Sequence, residues 1–150
     1  MAKEKFVNVL RVSVVPDGDM PKYQIQSLRM ENTLEKMYEV LGCDMVEVVT
    51  VNINGKDYDI WCDEEALCKA NVPEPVLALS DDPRDRNFQV IFGPVVFANC
   101  NEDGERASLS EKDEAAILPW VTEKIYVLRE WLYLMQIKHF LNSLEEAPTR

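Results

Sequence analysis

The stretch MVEVVTVNINGKDYDIWCDEEALC, residues 45–68, decides the fold class. Its two runs of β-favouring residues are separated by Asn54-Gly55, and such a pair adopts the positive φ angles that a two-residue hairpin turn requires. In residues 57–60, acidic and apolar side chains alternate, which is typical of a strand with one solvated and one buried face. The stretch therefore predicts an antiparallel hairpin.

A second hairpin is predicted near the start of the sequence. Phe6–Val15 is rich in β-branched residues, and Lys22–Ser27 alternates polar and apolar side chains. Pro16–Asp19 lies between these runs and has the composition of a turn. Two hairpins of this kind predict an antiparallel sheet.

The segment 72–99 adds further extended chain. Val72–Pro83 holds three prolines, which predicts an extended loop that crosses the surface. Phe88–Phe92 and Val95–Asn99 are apolar and β-branched, so each is predicted to be a strand. Because a proline nitrogen cannot donate a hydrogen bond, Gly93-Pro94 between them predicts a bend or bulge.

Two short helices are predicted beside the strands. Asn32 opens a capping-box pattern and Gly42 suits the left-handed residue that ends a helix, so residues 32–41 are predicted to be helical. Asp63 is placed to cap a shorter helix at Glu64–Lys69, because acidic residues in a first turn complement the helix dipole.

The last third of the chain is predicted to be helical. Residues 110–113 have the pattern of a helix start, and Pro119 is expected to end or kink that helix. A long helix is then predicted from Trp120 to Leu144. The fold class is α+β, an antiparallel sheet built from hairpins with one short helix packed on it and a long C-terminal helix. We expect a single domain overall, with an α+β core at residues 1–118 and the helix of residues 119–150 packed on that core or on a partner.

The long helix is more apolar than a surface helix of a small domain requires. Its apolar residues form two stripes, whereas packing on one sheet buries a single stripe. The sheet and the preceding helix together would cover both, but burial against a second copy or another protein is the favoured interpretation. Aromatic residues commonly anchor such interfaces. The side chains predicted to contact a partner are Trp120, Ile125, Leu128, Trp131, Leu132 and Met135.

The net charge of −11 is concentrated in the middle of the chain. Residues 1–42 and 115–150 each hold equal numbers of acidic and basic side chains, whereas residues 43–114 hold 17 acidic and 6 basic ones. Such a field repels phosphate backbones, so direct binding to nucleic acid is not expected. It suits a basic protein partner, or solubility alone. The acidic face predicted to bind a partner consists of Asp57, Asp59, Asp63, Glu64, Glu65, Asp81 and Asp82.

The motifs of common catalytic and metal sites are absent. The sequence has no GxSxG, P-loop, GxGxxG, HExxH or EF-hand pattern. Its one histidine, His139, stands on the apolar helix far from every cysteine. The cysteines at positions 43, 62, 68 and 100 lack the close pair typical of zinc sites, so reduced thiols are expected. We therefore expect a protein that is not an enzyme and holds no metal or cofactor.

Residues 8–114 carry a series of short motifs. They are Glu31–Glu35, Leu41-Gly42, Val46–Val48, Ile60–Glu65, Ile91–Gly93, Gly104-Glu105 and Ser108–Ser110. Together they resemble a family of small proteins of unknown function carried by phages, plasmids and Firmicutes genomes. Asp63 stands where that family has asparagine, and Ala66 where it has glycine. The resemblance implies a small accessory protein of a mobile element rather than a metabolic enzyme, and it carries over no catalytic residues.

The leading functional hypothesis is a cytoplasmic, non-enzymatic binding protein of a phage or mobile element. It would inhibit a host defence protein by occupying a basic surface, with the long helix forming a homodimer. The absence of a signal-peptide pattern and of an apolar run of about 20 residues favours the cytoplasm. One alternative is a small-molecule binder that sequesters a nucleotide signal, with Arg84, Arg86 and Arg106 as candidate anion ligands. Another is a metal-dependent enzyme that uses the carboxylates of residues 57–65.

Overall fold

The computed structural model describes residues 3–18 and 20–145. The described chain forms eight strands, two α-helices and one turn of 3-10 helix. In chain order these are β1 (Phe6–Asp17), β2 (Met20–Glu31), α1 (Leu34–Leu41), β3 (Val46–Ile53), β4 (Lys56–Asp63), the 3-10 turn (Ala66–Cys68), β5 (Pro75–Ala78), β6 (Val90–Phe92), β7 (Val95–Cys100), β8 (Arg106–Ala107) and α2 (Glu111–Glu145).

The main sheet has the strand order β2-β1-β7-β4-β3, and β8 pairs with β7. All of these pairings are antiparallel. β7 joins the two hairpins, because it pairs with β1 on one side and with β4 on the other. β5 and β6 form a separate two-stranded sheet. The α+β class and the hairpin-built antiparallel sheet are thus confirmed.

Both predicted hairpins are present. Asn54 and Gly55 have φ angles of 53° and 86° in the tight turn between β3 and β4. The first hairpin is longer than predicted, since β1 continues through Pro16 and Asp17 into the expected turn. Asp19, the last residue of that expected turn, lies outside the described residues.

The sheet is covered on both faces. On one face, α2 and the β5–β6 sheet bury a cluster that contains Phe97, Ile60 and Ile117. On the other face, α1 places Met37 against Val9 in a second cluster. Each face therefore has its own apolar core, and the sheet is the middle layer.

α1 begins two residues later than predicted. Thr33 is the N-cap, because its side-chain oxygen accepts a 3.1 Å hydrogen bond from the backbone N–H three residues on. Asn32 is instead buried, where its carbonyl oxygen accepts a 2.8 Å hydrogen bond from Arg106. Gly42 has a φ angle of 67° and ends the helix as predicted.

The helix predicted at residues 64–69 is only the 3-10 turn. Asp63 explains the difference, because its two carboxylate oxygens are both engaged. One accepts a 2.9 Å hydrogen bond from the backbone N–H of Glu65, and the other lies 2.6 Å from Lys69 Nζ. These contacts close the chain into a tight turn before a helix can propagate.

The loop predicted at residues 72–83 contains strand β5. Pro75 occupies the first strand position, where a missing N–H is tolerated, and Val76 and Leu77 are fully buried. Gly93, with a φ angle of 87°, separates β6 from β7, which lie in different sheets. The predicted bend is therefore present, whereas β8 was not predicted.

The two predicted C-terminal helices are one continuous helix. α2 runs for 35 residues, about 52 Å at 1.5 Å per residue, with Pro119 inside it. Ala115 and Pro119 are both exposed, so the carbonyl that loses its helical partner faces water. Ile117 and Val121 are fully buried, and packing on either side of the proline outweighs its local cost. Neither α-helix of the described chain is long and apolar enough to span a membrane.

Candidate protein-binding surfaces

The far half of α2 carries an apolar stripe that the described chain leaves exposed. The side chains of this exposed stripe are between 38% and 65% exposed, and they are Tyr126, Tyr133, Ile137, Phe140, Leu141 and Leu144. At 100° per residue they fall in one sector about 100° wide. The last residue of α2 that is buried in the core is Leu128. The exposed stripe therefore runs along a helix that extends past its own core.

The predicted interface residues lie mostly on the opposite side of α2. Leu128 is fully buried, and Ile125 packs against the core that contains Phe97. The rings of Trp120 and Phe97 meet edge-on, with their centroids 6.0 Å apart. These three side chains are held by their own chain, which corrects their assignment to a partner contact.

Of the predicted interface residues, only those nearest the end of α2 reach solvent. Trp131 stacks on Phe88 with ring centroids 4.9 Å apart, and Leu132 is half-buried. Met135 is 39% exposed. The spacing of Tyr126, Tyr133 and Ile137 was visible in the sequence, but the direction of the core, which decides which stripe is covered, was not.

Asp57 and Asp59 lie side by side on β4, on the α1 side of the sheet. Each accepts a hydrogen bond from the residue opposite it on β3, Asp57 from Asn52 at 2.9 Å and Asp59 from Thr50 at 3.0 Å. Both carboxylates keep further acceptor positions, because each carboxylate offers about four lone-pair sites. The pair remains able to bind a cationic side chain.

The seven predicted acidic residues do not form one face. Asp63 is buried and paired with Lys69, so it is not part of an exposed surface. Asp81 and Asp82 lie in the loop between β5 and β6, which packs on the α2 side of the sheet. Asp81 pairs there with the buried Lys124. The exposed acids near β4 are therefore Asp57 and, beyond the end of the strand, residues 64 and 65, whereas Asp59 is half-buried.

The three candidate anion ligands are not brought together. Arg106 lines a cavity of about 530 Å³ that neither Arg84 nor Arg86 lines. Its guanidinium lies 4.7 Å from the Trp61 ring centroid, and burial lowers its pKa. It also donates a 2.9 Å hydrogen bond to the carbonyl of Thr33. Arg106 is thus largely engaged within its own chain.

A buried polar cluster ties the start of α2 to the sheet. One carboxylate oxygen of Asp113 accepts hydrogen bonds from Lys56 and Tyr58, and the other accepts them from Asn99 and Ser110. Burial alone would raise the pKa of Asp113, but these hydrogen bonds outweigh it and hold the pKa well below its ordinary value. Burial and the bonded carboxylate raise the pKa of Tyr58 to about 12. Every member has a structural partner, so the cluster stabilises the fold.

The four cysteines are free thiols in two environments. Cys43 and Cys62 are buried, whereas Cys68 and Cys100 are exposed. Burial raises the pKa of Cys62 to about 11. His139 is exposed on α2. In the part of the chain that the structure describes, no group of three or more histidine, cysteine or carboxylate side chains has the geometry of a metal site.

Comparison with protein-family models gives a match over most of the chain. Residues 10–121 match the family model described as Domain of unknown function (DUF3846). No curated protein and no solved structure matches the chain. The match ends within α2, so the exposed stripe lies beyond it. Because the match covers well over half of the sequence, the chain belongs to this family of unknown function.

Proposed function

We propose that the protein is a non-enzymatic protein-binding domain, encoded by a phage or mobile element, that inhibits a host protein by occupying a basic surface. The observation that carries the protein-binding role is the exposed stripe of α2. The concentration of the whole net charge in residues 43–114 supports a basic partner. The resemblance to proteins of mobile elements supports the host context.

The exposed stripe is assigned to a second copy of the chain. A buried aromatic side chain covers roughly 150–250 Å², so these six side chains offer on the order of 600 Å² per copy. That area approaches the roughly 800 Å² per partner of a stable interface, and flanking residues would supply the rest. Residues 126–145, the part of α2 that carries the exposed stripe, hold two acidic and two basic groups, so two copies of this part do not repel each other.

The residue spacing favours an antiparallel pair of helices. An axis at position 135 places Tyr133 opposite Ile137 and Tyr126 opposite Leu144, because both pairs are centred on that position. Apolar side chains then meet apolar side chains at these two pairings. Phe140 and Leu141 fall opposite Glu130 and Arg129. In each copy, the acidic residues near β4 would lie outside this seam, where a partner can reach them.

Affinity capture from a bacterial lysate tests the basic partner. The wild type is expected to retain a basic protein in stoichiometric amount and to release it at about 1 M salt, because screening removes exposed charge interactions. The double variant Asp57→Lys/Asp59→Lys should lose that protein. Asp82→Lys/Asp85→Lys, which makes the same charge change in the β5–β6 loop, should retain it. Equal capture by both variants would contradict the assignment.

A second candidate function is the binding of a small ligand near Arg106. Trp61 and Glu105 both line this cavity, and the Nε1 of Trp61 and the Oε2 of Glu105 are buried and have no hydrogen-bond partner within residues 3–18 and 20–145. A buried polar atom left in this state costs about 1–3 kcal/mol, which a ligand that carries both an acceptor and a donor would recover. A nucleotide that raises the Tm of the wild type but not of Trp61→Phe would support this function. Identical Tm values of the wild type with and without each nucleotide of a panel would contradict this second function.

A further inference from the structure

The two free edges of the main sheet differ in how open they are. β2 and β3 are the terminal strands of the sheet. Proline and basic residues commonly protect an edge strand from pairing with another chain. β2 contains Pro21, Lys22 and Arg29, whereas β3, with the sequence VEVVTVNI, has no proline, lysine or arginine. The unprotected edge is therefore β3.

Alternate residues of β3 direct their backbone groups outward. A two-residue turn makes Ile53 and Lys56 a hydrogen-bonded pair, and hydrogen-bonded and non-bonded pairs then alternate along the hairpin. The residues whose N–H and C=O groups point away from β4 are accordingly Val46, Val48, Thr50 and Asn52. Within the described ranges β3 pairs only with β4. These outward groups form a template for one more strand.

A groove runs beside this edge on the α2 side. Its volume is about 670 Å³, and its lining includes Val49 of β3 together with Leu79 and Trp131. Two carboxylates, Glu47 and Glu64, also line it. The groove would accept the apolar side chains of an added strand and leave acids within reach of a basic one.

On the opposite side of the same edge, the half of β3 nearest the turn is polar and acidic. The side chains of Thr50 and Asn52 lie there, with Asp59 and Asp57 directly behind them on β4. Long basic side chains of an added strand can extend across β3 to these carboxylates. Carboxylates therefore flank the free edge on both faces of the sheet.

We propose that β3 receives an extended basic segment of a partner protein as an added strand, with apolar side chains in the groove and lysine or arginine side chains over Asp57 and Asp59. This inference rests on the proposed binding of a basic partner. Backbone hydrogen bonds would supply affinity, and the alternating side chains would supply specificity. A second copy of β3 is a poor occupant, because it would set Glu47 and the acids of β4 against identical charges.

Hydrogen exchange of the intact protein tests the site. The probe is a blocked peptide of alternating lysine and valine with the eight-residue length of β3. It should slow amide exchange at Val48, Thr50 and Asn52 by about tenfold or more, as new hydrogen bonds do, and added salt should reverse the effect. A glutamate-valine peptide of equal length should leave these amides unchanged. Binding of the lysine-valine peptide without slower exchange at these positions would overturn the β3 site and leave a basic partner possible elsewhere. No binding at about 1 mM, the weakest affinity of interest, would also overturn it.

Two variants of Thr50 distinguish the contribution of its backbone N–H to peptide binding from that of its side chain. Thr50→Pro removes an outward N–H without removing a hydrogen bond to β4, and it should weaken peptide binding about tenfold. Thr50→Val keeps the N–H and loses only the hydroxyl that bonds to Asp59, so it should bind like the wild type. Equal binding by both variants would contradict strand addition. The exchange measurement on the wild type decides the question if Thr50→Pro does not fold.

Discussion

The hydroxyl of Tyr58 donates a 2.7 Å hydrogen bond to the carboxylate of Asp113, which joins β4 to the first turn of α2. The two residues are 55 positions apart. Ser110 forms a reciprocal cap with Asp113, since its hydroxyl accepts a 3.1 Å hydrogen bond from the Asp113 backbone N–H. This one carboxylate therefore sets both where α2 begins and where it lies on the sheet.

Replacing Asp113 by asparagine should destabilise the protein by about 3 kcal/mol, because the new amide donor would face donors and leave Lys56 without its counter-charge. Urea unfolding at pH 7 measures this difference. Glu111→Gln in the same turn is exposed and should change stability by less than about 0.5 kcal/mol.

The cost of Asp113→Asn should also depend on pH. The pKa of Asp113 is lowered in the folded state, so its contribution is complete above the unfolded pKa of about 3.9 and is lost as the pH falls toward the folded value. The gap between wild type and variant should narrow from about pH 4 to about pH 2. A constant gap across that interval would contradict the assigned contacts.

Tyr58 should make stability fall at alkaline pH. Its pKa is raised to about 12 in the folded state, so the unfolded chain releases this proton first, near the ordinary value of 10. Stability from this group is therefore complete below pH 10 and is lost as the pH rises toward 12. Tyr58→Phe should be less stable than the wild type at pH 8 and should lose less stability over this interval. Parallel losses in the two proteins would refute the role of the hydroxyl.

Two alanine substitutions distinguish the part of α2 that is buried in the core from its projecting end. Leu128→Ala should cost about 3 kcal/mol, because it opens a cavity where the side chain is fully buried. Met135→Ala lies on the same side of the helix but is 39% exposed, so it should cost less than about 1 kcal/mol. Thermal unfolding of both variants checks the order. Similar losses would mean that the core extends further along α2 than described.

The thiols should react in two classes. A disulfide reagent at pH 8 should modify Cys68 and Cys100 in the native protein and leave Cys43 and Cys62 unmodified until the chain unfolds. Burial raises the pKa of both protected thiols and also blocks access to them. Rapid reaction of all four thiols in the native state would contradict this burial.

Local signals in the sequence were sufficient for the hairpins and for the end of α1. Asn54-Gly55 and Gly42 have the positive φ angles that their residue types tolerate, so each marks its position without any long-range contact. The alternation in β4 likewise predicted that Tyr58 and Ile60 are buried. These parts of the fold depend on neighbours in the chain.

Side-chain contacts that capping patterns and hydrophobic spacing do not specify decided the rest. The turn at Asp63 replaced a predicted helix because Lys69 folds back onto that carboxylate. Arg106 was a candidate anion ligand, but Asn32, 74 residues away, already engages it. Which stripe of α2 is exposed depends on the direction of the core, and hydrophobic spacing alone does not specify that direction.

The mass of the protein in solution tests the central claim, that the exposed stripe of α2 is a protein-binding surface filled by a second copy. Light scattering after size-exclusion chromatography should give twice the 17.3 kDa of one chain. Phe140→Glu should give the mass of one chain, and Leu118→Glu, an exposed position of the same helix outside the stripe, should stay dimeric. A wild-type mass of 17.3 kDa at about 100 μM, well above the micromolar range of ordinary interfaces, would contradict the account.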